Sequence, residues 1–138
     1  MVERGNGRVL NVSSLGAFQP VPGLAVYAAT KAYVLSFTEA LSEELRGTGV
    51  TVSALCPGVT DTDMVSGASQ QAKIDVPPGL AMTPEAVAQA GYRACMAGRV
   101  IEVPGVANEL VANWARLQPR WLVRGIAGFF GRGLYRRD

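Results

Sequence analysis

Short apolar runs alternate with longer helical patterns along this 138-residue chain. The first run, Arg8 to Ser13 (RVLNVS), follows Gly5 and Gly7 and predicts a buried strand. Pro20, Pro22 and Gly23 then mark a loop. From about Leu24 to Arg46 strong helix formers accumulate. Ala28, Ala32, Leu35 and Phe37 spread apolar surface over more than one side, which suits a helix packed between a sheet and a second helix or subunit. Gly47 and Gly49 supply its stop signal. Val50 to Cys56 (VTVSALC) predicts a second buried strand, closed by Pro57 and Gly58.

Residues from Thr60 to Pro78 hold no firm period and read as a loop or short helix. Thr83, Pro84 and Glu85 form a helix start, with a hydroxyl cap, proline in the first turn and an acidic residue near the positive end of the dipole. That helix runs to about Ala97 and stops at Gly98. Arg99 to Val103 predicts a third strand, closed by Pro104 and Gly105. Helical sequence resumes from Val106 to Leu117 and again beyond Pro119 towards Phe130. Strand, long helix and strand with tight connections make a βαβ unit, so the strands should run parallel with a right-handed crossover. The expected fold class is α/β, with about three parallel strands and flanking helices in one domain. Residues 1–105 form its core half and 106–138 a helical extension.

Composition narrows the chemistry. A charged fraction of 17% against 49% apolar residues fits a globular chain, and a net charge of +2 gives no footing for nucleic acid. The chain has no histidine, which removes Ser-His-Asp and Cys-His catalysis and any histidine-ligated metal; no metal is expected. Cys56 and Cys95 lie far apart in apolar surroundings and read as free thiols of a reducing compartment. No apolar run reaches the length of a membrane-crossing helix, and the first residues lack the apolar stretch of a signal peptide, so the cytoplasm is expected.

Ser14 ends the first apolar run, Tyr27 follows near the start of the long helix, and Lys31 lies one turn further on the same face. A free tyrosine is a poor proton donor or acceptor near neutral pH, and a neighbouring ammonium favours the phenolate. A hydroxyl such as that of Ser14 could hold the oxygen that gains or loses the proton. These residue types suit general acid/base work on an alcohol or carbonyl. Their elements and the Pro57-Gly58 turn should meet at the C-terminal edge of the sheet, where open α/β folds bind ligands.

The segments Asn11 to Ser14 (NVSS), Tyr27 to Lys31 (YAATK) and Pro57 to Thr62 (PGVTDT), with Met64 beyond, resemble the short-chain dehydrogenase/reductases over roughly residues 5–105. The spacing from Ser14 to Tyr27 matches that family's catalytic serine and tyrosine and selects Ser14 over Ser13. The resemblance implies an NAD(P)-dependent oxidoreductase that interconverts an alcohol and a carbonyl by hydride transfer. Tyr27 would be the general acid or base, Lys31 would tune it and hold the nicotinamide ribose, and Ser14 would orient the substrate oxygen. Pro57, Gly58, Thr60 and Thr62 would lie against the nicotinamide of NAD or NADP. The long helix matches an element such enzymes use in subunit contacts, so a homo-oligomer is implied for the full-length form.

The first half of that pattern has no counterpart here. Gly5-Asn-Gly7 precedes a strand and opens no helix, so the glycine-rich turn for the dinucleotide phosphates is missing. The chain therefore reads as the C-terminal part of a doubly wound, Rossmann-like sheet whose N-terminal βαβ units are missing. Alone it should bind cofactor weakly or not at all, its first strand should have an open edge, and the isolated fragment should be inactive. The alternative is a non-catalytic fragment that acts by pairing with another chain. The C-terminal stretch interleaves Arg116, Arg120, Arg124, Arg132, Arg136 and Arg137 with Trp121, Leu122, Ile126, Phe129, Phe130 and Tyr135. At i+4 spacing the first three arginines would share a face. Two readings stand: a helix over a substrate pocket or partner subunit, whose apolar lining would favour a hydrophobic alcohol or ketone, or a basic amphipathic helix on a membrane surface.

Overall fold

The computed structural model describes residues 1–60 and 81–132, with side chains through Phe129. Three parallel strands form one sheet in the order β1-β2-β3: β1 Gly7–Val12, β2 Val50–Leu55 and β3 Ile101–Glu102. The helices are α1 Ala25–Glu44, α2 Pro84–Met96, α3 Val106–Leu117 and α4 Arg120–Arg132. The expected βαβ unit is therefore present, with β1 and β2 paired from Gly7↔Val50 to Val12↔Leu55.

β2 is the centre of the sheet. Val50, Val52, Ser53, Ala54 and Leu55 are buried, because α1 and α2 both pack against the strand. Gly91 lets α2 approach closely: a Cβ there would lie 2.6 Å from Leu55 Cδ2. Leu35, Ala54 and Cys56 form the core, joined by Ala17, Phe18, Ile101 and Val103. β1 has the open edge expected of it but not the burial its apolar run predicted: Arg8, Leu10 and Val12 are exposed, while Val9 and Asn11 are partly covered. Asn11 Nδ2 donates to the fully buried Thr38 Oγ1 at 2.9 Å and ties the strand to α1.

Other differences from the expected elements have local causes. The third strand shortens from the expected 99–103 to two residues, since only Ile101 and Glu102 pair with β2. Arg99 instead pairs with Glu102 at 3.0 Å. The segment after Ser14 makes a 3-10 turn, Leu15–Phe18, that no periodicity announced. α1 buries Ala28, Leu35 and Thr38 on the sheet, whereas Phe37 lies on its exposed side and stacks on Tyr33. Thr83 caps α2 as expected, accepting from the Ala86 N–H at 3.3 Å. Arg116 shares no helix with Arg120 and Arg124, because α3 ends at Leu117 and α4 begins at Arg120. It pairs with Glu39 at 3.1 Å and sits 5.1 Å from the Phe18 ring centre.

Candidate active site

β1 ends at Val12, and the chain then turns across the C-terminal end of β2. The Ser13 N–H donates to the Leu55 carbonyl at 2.7 Å, and the Leu15 N–H to the Pro57 carbonyl at 2.8 Å. These two bonds fasten the backbone on both sides of Ser14. The Ser14 hydroxyl oxygen accepts from the Gly16 N–H at 3.1 Å, capping the 3-10 turn. Its own proton is left for another acceptor.

Tyr27 is the third residue of α1 and 43% exposed. A Cβ on Gly16 would lie 3.5 Å from Ser14 Oγ and 3.9 Å from Tyr27 Cε1, so hydroxyl and ring flank that glycine. Lys31 Nζ lies 5.7 Å from the Tyr27 ring centre and donates to the Val12 carbonyl at 3.0 Å. An ammonium has three donors, so two remain after that bond. Ser13 completes the junction, its hydroxyl donating to the Lys31 carbonyl at 2.7 Å. Ser14, Tyr27 and Lys31, spread over 18 residues of sequence, are thus brought together.

Pro57 and Gly58 follow β2 beside this junction. The turn is backed by Asn108 of α3, a buried amide whose Nδ2 donates to the Pro104 carbonyl at 2.9 Å. A Cβ on Gly58 would lie 2.6 Å from both Nδ2 and Oδ1 of that side chain, so any larger residue would have to displace the buried amide. Thr60 pairs as a lone bridge with Met82, and its hydroxyl turns towards the Gly58 carbonyl at 3.4 Å. Thr62, the remaining candidate contact, lies outside the described residues.

Sequence reasoning missed Val12, Ser13 and Asn108. Val12 acts through a backbone carbonyl, which no residue letter reports. Ser13 sat beside the better candidate, and Asn108 is 50 positions from the glycine it packs on. Cys56, next to Ser13, is buried; desolvation pushes its thiol up to about 11, so it is no nucleophile.

Comparison with known proteins bears on the family and the fold. A family profile described as short chain dehydrogenase matches residues 1–73. The very-long-chain 3-oxoacyl-CoA reductase of Mus musculus is 31% identical over 137 residues, covering 99% of this chain and 41% of the relative. The 3-oxoacyl-[acyl-carrier-protein] reductase FabG of Chlamydia muridarum is 34% identical over 115 residues, 76% of this chain and 46% of that protein. Among solved structures, a 7beta-hydroxysteroid dehydrogenase superposes with a TM-score of 0.73 at 26% identity, over 91% of this chain and 49% of that one. An actinorhodin polyketide ketoreductase solved with NADPH gives 0.51 at 32% identity, over 93% and 44%. The chain spans less than half the length of these relatives. A family profile over more than half its length, the three-stranded parallel sheet and the Ser14, Tyr27 and Lys31 junction lead to one conclusion: the chain belongs to the short-chain dehydrogenase family.

Proposed function

We propose that this chain carries the proton-transfer half of an NAD(P)-dependent oxidoreductase that interconverts a carbonyl and an alcohol. The observation that carries the reading is the convergence of the Ser14 hydroxyl, the Tyr27 ring and the Lys31 ammonium at the C-terminal ends of β1 and β2. In the reducing direction Tyr27 gives its proton to the carbonyl oxygen as negative charge develops there. The Ser14 hydroxyl, free to donate, holds the same oxygen. Lys31, fixed to Val12, supplies positive charge beside the phenolate that forms and keeps two donors for ribose hydroxyls. Tyr27, Lys31, Pro57, Gly58, Thr60 and Thr62 would hold the nicotinamide end of the cofactor. When bound, it supplies the hydride.

The two donors left on Lys31 after its bond to Val12 suit the hydroxyls at the nicotinamide end. Its phosphates find no glycine-rich strand-turn-helix among the described residues, so the chain alone binds cofactor weakly. The names of the relatives, 3-oxoacyl reductases, favour the keto group of a 3-oxoacyl thioester as substrate. The exposed Val26, Tyr33 and Phe37 of α1 support a homo-oligomer in the full-length form.

The test is a chimera in which the N-terminal half of the Chlamydia muridarum relative is joined to residues 1–138. It should oxidise NADPH with a 3-oxoacyl thioester, while residues 1–138 alone show no measurable turnover. A folded chimera without turnover would overturn the reading. A second reading, a non-catalytic partner of another chain, is favoured by the open edge of β1 with Leu10 and Val12 exposed. It predicts a stable complex with a separately expressed N-terminal half and no turnover in either form.

A further inference from the structure

The last two helices turn large apolar side chains outward. Val106, Leu110 and Leu117 of α3 are exposed, as are Trp121 and Phe129 of α4. α4 is held by its other side, where Val123 is 4% exposed while Trp121 is 67% exposed. Trp121, Gly125 and Phe129 follow one another at i, i+4 and i+8, with Leu122 and Ile126 alongside, and together they line a shallow cleft. The adjacent stripe carries Arg120 and Arg124, both exposed and neither in an ion pair among the described residues. From Leu110 to Arg132 the sequence holds four arginines and no acidic residue.

We propose that α4 lies on an anionic lipid surface, its Trp121, Leu122 and Ile126 side chains in the headgroup layer and Arg120 and Arg124 against lipid phosphates. Charge decides between the possible covers. A second copy docked through a two-fold axis would set these arginines against their own counterparts, like charge on like. An anionic bilayer meets them with the opposite sign, and indole rings favour the same interfacial depth. The contact is peripheral, because no helix among the described residues is long and apolar enough to cross a membrane. Arg116 takes no part, being held by Glu39 and Phe18. The proposal stands apart from the enzymatic reading and needs no turnover.

The experiment uses the full 138-residue chain with Trp114→Phe, which leaves Trp121 as the sole tryptophan. Phosphatidylcholine vesicles containing phosphatidylglycerol should shift its emission to the blue and carry the chain into the lipid pellet. Pure phosphatidylcholine should do so far less, and high salt should release the protein. Arg120→Gln combined with Arg124→Gln should lower the partition coefficient roughly 30-fold, from about 1 kcal/mol per arginine near the surface. Circular dichroism of both proteins confirms folding. The proposal is overturned if the folded chain ignores anionic vesicles at low salt, if it binds both lipids equally, or if the double variant partitions unchanged. It is equally overturned if the blue shift follows protein concentration without lipid, since a second copy would then cover the stripe.

Discussion

β1 and β2 are two six-residue parallel strands in register, built from the same kind of apolar, β-branched sequence, and they meet opposite fates. β2 has a strand on each side and a helix on each face, so Val52 is only 1% exposed. Among the described residues β1 has one strand neighbour, and Val12, at its end, is 53% exposed. Apolar content fixes that a segment pairs into a sheet; only the neighbours decide whether it is buried. The candidate site joins the two conditions. Ser14 follows the exposed strand but is held by backbone bonds to the buried one, through Leu55 and Pro57.

The strongest way to break this pairing lies where the two strands begin. Gly49 has a φ of 78°, and a Cβ there would lie 1.9 Å from the Gly5 carbonyl oxygen. Gly49→Ala should destabilise the chain by on the order of 3 kcal/mol or more, since strain and a backbone clash add. Chemical denaturation checks it. Matched truncations then compare the strands themselves. Val52→Ala should cost on the order of 2 kcal/mol from lost burial and the cavity left behind. Val12→Ala should stay within roughly 0.5 kcal/mol, as for other exposed positions. Equal losses would mean that β1 is covered in solution.

A smaller effect tests the burial of Cys56, directly beyond β2. Its thiol is pushed from 9.0 to about 11 by desolvation, so the folded state holds its proton after the unfolded chain has released it. That contribution is present in full below pH 9 and lost as pH rises to about 11. Melting midpoints of the wild type should fall more steeply over this window than those of Cys56→Ala.

Much of this was legible in the letters, for physical reasons. Strand signals at Arg8 to Ser13 and Val50 to Cys56, with a long helical pattern from about Leu24 to Arg46 between them, point to the parallel pair that forms. A parallel pair puts the end of β1 and the start of α1 at one edge, so the meeting of Ser14, Tyr27 and Lys31 followed from topology. The exposure of Leu10 and Val12 was only half legible: the missing glycine-rich turn foretold an open edge, while the apolar run foretold burial. The anchor of Lys31 on Val12 and the packing of Asn108 on Gly58 were not legible, since one uses a backbone atom and the other a contact far apart in sequence. The separation of Arg116 from Arg120 turned on how the backbone breaks at Pro119, which i+4 counting across it ignored.

The central claim is that Tyr27 handles the proton within a junction built by Ser14 and Lys31. Single-turnover reduction of a 3-oxoacyl thioester by the chimera, with Tyr27→Phe as the only change, tests it most directly. The ring and its packing stay, and only the hydroxyl goes. The rate of the chemical step should drop about 10³-fold or more, with the fold unchanged by circular dichroism. A rate within a few-fold of the unmodified chimera would contradict the account and move the proton to another group.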